Sequence, residues 1–417
     1  MLFKSPRGTK DILAASSRLW HELEETARTV FRTFAYQEIR TPVFEDAKLF
    51  TRSLGDLTDI VQKQMFIIKR ETDTFVLRPE ATASIVRAYV ENTMYNVNTV
   101  TKFFYMGPMF RAERPQKGRM RQFHHIGCEA IGSCHPFLDA EVIILCRELL
   151  TALGVGDFSI ALNTIGCVQD KKNLSVNLRE ALVPLKKSFC EDCQTRMTKN
   201  IFRVLDCKNR QCREIILSKN IGHEHVCADC KEHFRRVRAA LDAAGVPYRM
   251  DPLLVRGLDY YTRTVFEVTH PQLGAQDAVG AGGRYDNLVR ELGGPDRGAV
   301  GFALGVERLF IALGVAQDGA PEPPGEDVYI IPLGEAATRA GFDLLREIRA
   351  QGISADMDYM EGSLKASLRR ADARKAKRAI VIGDNELSRG IALVKDMAQG
   401  TQEEMALSDI VARLKPC

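Results

Sequence analysis

The chain has 417 residues, 45% of them hydrophobic and 27% charged, so two or three packed domains are expected and wholesale disorder is excluded. The formal net charge is only +4, so any hold on a polyanion must come from local patches. No apolar run reaches the roughly 18 residues of a membrane helix, and the opening MLFKSPRGTKDIL has no hydrophobic signal core, so a cytoplasmic protein with no membrane contact and with reduced cysteines is expected.

From Ser16 to Tyr36, residues Leu19, Leu23, Ala27, Val30, Phe31 and Phe34 share one stripe, which predicts an amphipathic helix capped by Ser16 or Ser17. The extended YQEIRTPVFED follows. Pro42 cannot donate to a sheet ladder, so it marks an edge strand or strand end that a partner subunit can cover. DTFVLRPEATASIVRAYVENTM reads as strand, turn and helix. TKFFYMGPMFRAE and RQFHHIGCEAIG read as a long antiparallel hairpin turning at Pro115 and Gly118. Asp139 to Leu153 is a predicted helix. Residues 170–234 are charged and hold six of the eleven cysteines, so they read as an inserted subdomain. Strand character returns in LLVRGLDYYTRTVFEVTH and AVGAGGRYDNLVRELGG, then in AVGFALGVERLF, where a strand leads into a helix. VAQDGAPEPPGE, residues 315–326, is a proline-rich linker between a first domain over 1–314 and a second over 327–417. In the second, strands alternate with helices, which predicts an α/β domain with a largely parallel sheet.

The stretch FRAERPQKGRMRQFHHIG sets Arg111, Arg114, Lys117, Arg119 and Arg121 against Glu113 alone. A solvated loop is one reading. Against it, Arg111 and Glu113 alternate out of an apolar strand toward one face, and Arg121 and Phe123 also share a face. Guanidinium forks suit phosphates, and an aromatic ring can stack on a base. There is no G-x-x-x-x-G-K-[ST] loop, and VGAGGRYD does not match the dinucleotide fingerprint. ATP would therefore be held by arginine side chains: Arg111, Arg256 and Arg308. Each lies in an apolar or glycine-rich context, where it needs either a structural carboxylate partner or an anionic ligand.

FRAERPQKGRMRQFHHIGCE resembles motif 2 of the class II aminoacyl-tRNA synthetases. AVGFALGVERLF is similar to motif 3, and FRTFAYQEIRTPVFED to motif 1, whose proline lies at a dimer interface. VRGLDYYTRTVFE and AGGRYDNLV resemble the two signature motifs of histidyl-tRNA synthetases, and RGTKDIL and LRPEATASIVRA fit that family. The resemblance runs from about residue 7 to 415. It implies an α+β catalytic domain, an antiparallel sheet with flanking helices, followed by a C-terminal α/β anticodon-binding-like domain. It also implies a homodimer that uses ATP with Mg2+ to convert L-histidine into histidyl-adenylate. Histidine then passes to the 3′ end of tRNA(His), with AMP and diphosphate released.

By the same resemblance, Arg111 and Arg256 are catalytic and hold the α-phosphate from opposite sides. Arg256 stands where other class II enzymes place a metal ion. Glu113 meets adenine, Phe123 stacks on it, and Arg308 meets the γ-phosphate and the other side of the base. Glu80 and Thr82 take the α-amino group of histidine, and Glu129, Tyr260, Tyr261 and Tyr285 line its pocket. The family commonly carries glutamine where this chain has His125, which implies a polar contact to substrate with pH-dependent affinity near neutrality.

Cys190-x2-Cys193, Cys207-x4-Cys212 and Cys227-x2-Cys230 are spaced as ligand pairs for one tetrahedral ion. Zinc is not a general requirement of the family, so a structural Zn2+ stays open. His223 and His225 are ligands or loop residues. Cys128, Cys134, Cys146 and Cys167 read as ordinary small residues, and Cys417 as a free thiol. Lys365, Arg369, Arg370, Arg374, Lys375, Lys377 and Arg378 face Asp372 alone. This helix is either a solvated face or, given the resemblance, a surface for the tRNA backbone, with Gln116 and Arg119 nearer the acceptor end. Two rival functions remain. Regulatory relatives without aminoacylation usually lack the C-terminal domain and have eroded motifs. A zinc-dependent RNA-binding protein would leave the arginine set unused.

Overall fold

The computed structural model describes residues 3–414 apart from 56–57, 59, 117, 208, 220–223, 275–276, 316–324 and 361. Lys117, His223, Cys417 and most of the expected linker lie outside the described residues. The chain divides into two compact units, residues 1–320 and 321–417.

The first unit opens with α1 (Ala14–Thr33), which buries Trp20, Leu23, Ala27 and Phe31 at helical spacing. Neither serine caps it. Ser16 and Ser17 lie inside the first turn and donate their amides to Leu13 O at 2.9 and 2.8 Å. The short β1 (Gln37–Glu38) and β2 (Phe44–Asp46) flank Pro42 and lead into α2 (Ala47–Leu54). The hairpin β3 (Phe66–Arg70) and β4 (Asp73–Leu77) pairs with β2 in a small sheet, and α3 (Thr82–Glu91) follows. Next come the long hairpin β5 (Thr101–Phe110) and β6 (Gln122–Ile131), then α4 (Pro136–Ala152) and β7 (Ser159–Thr164).

Three helices, α5 (Val168–Leu182), α6 (Glu191–Lys199) and α7 (Arg210–Ser218), form the inserted body. It has its own core of Leu178, Leu182, Phe189, Met197, Val204 and Ile216, which also takes in Leu253. The helix α8 (Ala228–Ala243) differs from the sequence expectation. Phe234, Val237 and Leu241 put it in the main core beside α4, so the separately packed body is shorter than 170–234. After β8 (Arg249–Met250) the main sheet resumes with β9 (Thr262–Thr269) and β10 (Ala278–Arg284). The unit closes with α9 (Leu288–Glu291), β11 (Ala299–Gly305) and α10 (Val306–Ala312).

Eight strands form the main sheet in the order β1-β5-β6-β11-β10-β9-β7-β8, antiparallel except at the β1–β5 and β7–β8 edges. Alternation gives it two apolar faces. Phe104, Ile126, Cys128, Phe302 and Leu304 meet α1, α4 and α10 on one side. Tyr105, Met109, Val265 and Ala299 meet α2, α3 and α9 on the other.

The second unit holds β12 (Val328–Leu333), α11 (Glu335–Ala350), β13 (Ala355–Met357), α12 (Leu364–Ala373) and β14 (Arg378–Gly383). Then come α13 (Asp384–Ser388), β15 (Ile391–Asp396), β16 (Gln402–Ala406) and α14 (Leu407–Leu414). The sheet order is β13-β12-β14-β15-β16. The first two pairings are parallel and the last two antiparallel, so the sheet is mixed rather than largely parallel. The reason is length: the segment from β14 to β15 is too short for a parallel crossover of about a dozen residues.

One buried ionic knot ties α4, α8 and β10 together. Arg284 is fully buried, and its Nε donates to Asp139 Oδ1 at 2.9 Å. Its Nη1 donates to Asp286 Oδ1 at 2.8 Å and Ser133 O at 2.9 Å, while His233 Nε2 lies 2.9 Å from Asp139 Oδ2. Burial alone would push the Asp139 carboxyl up. The Arg284 charge and the His233 hydrogen bond outweigh burial and hold it at about 2. Replacing Arg284 by Met leaves Asp139 buried and without its main counter-charge, and urea unfolding at pH 7 should show a loss of about 3–5 kcal/mol. Because Asp139 sits below its ordinary 3.8, its contribution is full above that value and lost as pH falls through about 2.

Candidate active site

Strand β6 carries the site. Phe123, His125, Gly127 and Glu129 alternate onto one face, a run of about 20 Å at strand rise. His124 points the other way. Its amide donates to the Glu307 carboxylate of α10 at 3.0 and 3.1 Å, and its ring lies 4.6 Å from Trp20.

At the Phe123 end, the Arg111 amide donates to Arg121 O at 2.8 Å and extends the hairpin. The Arg111 guanidinium lies 5.2 Å from the Phe123 ring, and its Nε donates to Pro79 O at 3.1 Å. Among the described residues no carboxylate comes within ion-pair distance of it. Burial lowers its pKa, and Glu113 and Glu80 compensate only from farther away. β5 ends at Phe110, so Glu113 sits in the loop rather than on the strand face, and it pairs with Arg119 at 3.3 Å. Arg119 therefore lies beside Glu113, with its side chain partly exposed. Gln116 is exposed and shares two backbone hydrogen bonds with Arg119, at 2.9 and 3.1 Å. The RGTKDIL segment braces this loop. The Arg121 amide donates to Gly8 O at 2.7 Å, and a Cβ on Gly8 (φ +90°) would meet Arg121 and Pro115 at 2.8 Å.

Arg308, in the first turn of α10, donates through Nε to Gly118 O at 3.1 Å and through Nη1 to Ala278 O. Burial lowers its pKa, and so does the charge of Arg119 and Arg111. Arg256 forms an ion pair with Glu267 of β9, whose charge also reaches Arg308. The Arg256 Nε is buried without a partner. The hairpin, the loop before β9 and α10 therefore bring their arginines to one end of one sheet face. Arg256 thus has a structural carboxylate partner while its Nε stays open to a ligand, and that partner, Glu267, left little trace in the sequence. Its only signal was being the lone acid in the apolar strand TRTVFEVT.

At the other end Glu129 is buried. Its Oε1 accepts from the Thr82 hydroxyl at 2.6 Å and its Oε2 from the Tyr285 hydroxyl. Gly301 of β11 lies opposite, where a Cβ would stand 1.9 Å from Oε2. Burial pushes Glu129 up to about 8, although both donors oppose the shift. Glu80 caps α3 by accepting the amides of Thr82 and Ala83 at 2.7 and 3.0 Å. The Tyr260 ring lies 4.8 Å from Tyr261 and 5.5 Å from Tyr285. Burial raises all three phenols, Tyr261 to about 12, so each remains a hydroxyl donor at neutral pH. A second residue missed from sequence is Arg78, buried beneath the hairpin. It donates to Pro108 O and Thr41 O at 3.0 Å each and ties the Pro42 segment to β5.

His125 lies between the two ends, 5.0 Å from Phe123 ring to ring. Its Nδ1 is buried without a partner. Burial, then the charges of Arg111 and Arg78, hold its pKa down to about 3. This overturns the expectation of a titration near neutrality.

The family model for histidyl-tRNA synthetase matches residues 8–309, and that for an anticodon binding domain matches residues 327–416. The chain belongs to the histidyl-tRNA synthetase family. It is 45% identical over 413 residues to the histidine–tRNA ligase of Halothermothrix orenii, spanning 99% of both chains. It is 44% identical to that of Moorella thermoacetica, over 99% of this chain and 97% of the other. The crystal structure of apo S. aureus histidyl-tRNA synthetase matches with a TM-score of 0.79 and 35% identity, over 100% of both chains.

The second unit is therefore an anticodon-binding domain. Its α12 ends at Ala373 with Arg374 as C-cap, so Lys375, Lys377 and Arg378 lie beyond the helix that the sequence suggested, and the basic stretch is less free than its composition suggested. Arg370 donates to both Asp358 oxygens, at 2.7 to 3.1 Å. Arg374 pairs with Glu326 and Asp356, and Lys377 with Asp327. Lys365, Arg369 and Arg378 are exposed. The six cysteines proposed as a single ligand set also divide. Cys190, Cys193, Cys207 and Cys212 gather, but Cys227 and Cys230 meet Cys167 and Asp170 instead. Cys167 is thus no ordinary small residue, and His225 joins neither group.

The His125 geometry has a direct check. With imidazole-labelled protein, and His125→Gln to assign the signal, the His125 resonance should not titrate between about pH 5.5 and 8. A transition near 6.5 would contradict the buried, cation-flanked setting.

Proposed function

We infer that the chain is a histidine–tRNA ligase. It activates L-histidine with ATP and passes histidine to the 3′ end of tRNA(His), releasing AMP and diphosphate. The observation that carries this reading is the Arg111 guanidinium, half-buried beside Phe123 with no carboxylate partner among the described residues, on the same sheet face as the Glu129 pocket. A partly desolvated cation without a counter-ion is a ready site for an anion, and a triphosphate supplies the missing charge.

ATP lies at the Phe123 end. The adenine stacks on Phe123 and is read by Glu113, with Arg308 over its other side and on the γ-phosphate. Arg111 and Arg256 grip the α-phosphate from two sides. L-histidine lies at the Glu129 end, its ammonium near Glu80 and Thr82 and its ring against Glu129, Tyr261 and Tyr285, with Tyr260 and His125 as flanking polar groups. The substrate carboxylate attacks the α-phosphorus, a P–O bond to the carboxylate forms, and the bond to the leaving diphosphate breaks. The terminal ribose hydroxyl of tRNA then attacks the carbonyl carbon and AMP leaves. Guanidiniums already fixed in place stabilise charge on the α-phosphate without reorganising. A carboxylate with fixed hydroxyl donors selects the two ring N–H positions of histidine.

Mg2+ would supply positive charge to the ATP phosphates in this chemistry, and Glu267, a partly exposed carboxylate beside the arginines, is an oxygen donor that would hold such an ion. The protein works as a cytoplasmic homodimer. Val43, Phe44, Ile67 and Ile68, around the motif 1 proline, are exposed and supply apolar surface for a partner subunit.

Three experiments test this reading. Arg256→Ala should lower histidine-dependent ATP–diphosphate exchange by at least about 100-fold and leave tRNA(His) affinity within about twofold; retained exchange would remove its role. Arg369→Ala should weaken tRNA binding and flatten the salt dependence by about one unit of slope. Arg370→Ala should instead lower the melting temperature of the second domain, because it strips Asp358 of its partner.

A further inference from the structure

The inserted body and its junction hold two four-ligand clusters that the catalytic reading does not use. Cys190, Cys193, Cys207 and Cys212 form one, and Cys167, Asp170, Cys227 and Cys230 the other. In each, one ligand atom per residue lies within 4.8 Å of all the others. Three ligands of the first are buried and Cys190 is half-buried. The Cys190 and Cys207 sulfurs are 3.8 Å apart. A tetrahedral zinc with sulfurs at 2.3 Å has an S···S edge of about 3.8 Å, and a disulfide needs about 2.0 Å. Backbone amides also point at these sulfurs, from Cys190 to Cys212 Sγ at 3.3 Å and from Asn209 to Cys207 Sγ at 3.4 Å. Such N–H···S contacts are the outer-layer hydrogen bonds that orient thiolate ligands.

The second cluster has the same construction. Cys167 precedes α5 as its N-cap and Asp170 is the third residue of that helix; Cys227 and Cys230 stand in the same two places on α8. Cys190 and Cys193 repeat the pattern on α6. Asp170 is buried, and its two oxygens accept the amides of Cys167 and Cys227 at 3.1 Å each, leaving a further lone pair on each oxygen. In this cluster two helix N-termini converge on the same point. Their partial positive charges oppose each other unless an anionic assembly lies between them, and a zinc complex of three thiolates and a carboxylate carries net negative charge.

We propose that the chain binds two structural zinc ions, one at Cys190, Cys193, Cys207 and Cys212 and one at Cys167, Asp170, Cys227 and Cys230. The first organises the core of the insertion, since Cys193, Cys207 and Cys212 are members of it. The second staples the first and last helices around that body, closing a loop of some sixty residues. Both sites brace the loop that carries Arg256, Tyr260 and Tyr261. Lys171, one residue past Asp170, donates to Asp259 O at 2.7 Å and Tyr261 O at 2.9 Å. Asn200 of the insertion donates to Asp259 Oδ1 at 3.3 Å, and Leu253 lies in the core of the insertion.

The test begins with the full chain purified without chelator and analysed by elemental mass spectrometry. About two zinc ions per chain are expected, falling to about one in Cys212→Ser and about one in Cys230→Ser. Substitution with Co2+ should give tetrahedral d–d bands with thiolate charge transfer, at half intensity in each variant. Less than about 0.2 zinc per chain, with the cysteines free or oxidised to disulfides, overturns the proposal. A single zinc lost entirely in Cys212→Ser overturns the second site. Withdrawing zinc from the wild-type chain should speed hydrogen exchange across residues 255–263; unchanged exchange there would remove the bracing role. None of these readouts depends on the catalytic assignment.

Discussion

The register of β6 against β11 decides which polar groups face the site and which face the core. Glu129 opposes Gly301 and His125 opposes Gly305. With side chains alternating every residue, a slip of one would turn Glu129 toward Phe31 and Phe104 and put Ile126 and Cys128 on the candidate-site face. The opposite face prevents that slip. Ile126, Cys128 and Ala130 are packed in the main core, and the His124 amide is held by Glu307 of α10. The next residue of that helix, Arg308, reaches the hairpin loop and β10. One short helix therefore fixes the strand and delivers an arginine to the site.

The parts legible in sequence were those whose information is local. Period-two alternation and the Pro115–Gly118 turn predicted the β5–β6 hairpin, and its ten-residue strands pair throughout. Interactions across the fold left less trace. Glu267 meets Arg256 only because the loop before β9 folds back on its own strand. The basic helix shows the same limit, because a charge count along α12 includes none of Glu326, Asp356 or Asp358, which lie outside it. Cysteine spacing picked out pairs that stay together, since a C-x2-C unit is local to one helix start. Which pair meets which is tertiary, and the participation of Cys167 and Asp170 was invisible for that reason.

Two sets of polar groups in the catalytic unit contrast physically. The Arg284–Asp139–Asp286–His233 knot is completed by Arg263, whose guanidinium reaches Asp286 and the His233 ring, so two guanidiniums meet two carboxylates. It specifies how α4, α8 and β10 meet, and it offers a ligand nothing. Arg111, the Arg256 Nε and the His125 Nδ1 are unmatched, and they lie on the opposite sheet face. A fold can retain such groups if a ligand completes them, since an unsatisfied buried donor costs about 1–3 kcal/mol and a buried charge more. On the proposed reading these three groups outline the phosphate end of the ligand, while the Glu129 carboxyl, already satisfied by two hydroxyl donors, lines the other end.

On the proposed reading, Glu129 is the group through which the pocket favours histidine. Its carboxyl is pushed up to about 8 by burial, so at neutral pH the free pocket holds it mostly protonated. Relative to its ordinary 4.5, the sign is that of a group whose ionisation works against the folded state: stability is greatest below 4.5 and declines as pH rises through about 8. A ligand that brings N–H donors and a positive ammonium reverses the balance, because it favours the ionised carboxylate. Thr82 and Tyr285 already donate to the two oxygens, so the incoming ring must approach along the lone pairs they leave. A side chain of similar size without N–H groups would leave Glu129 buried and no better compensated than in the empty pocket, so the energetic cost of the empty pocket becomes discrimination against the wrong amino acid.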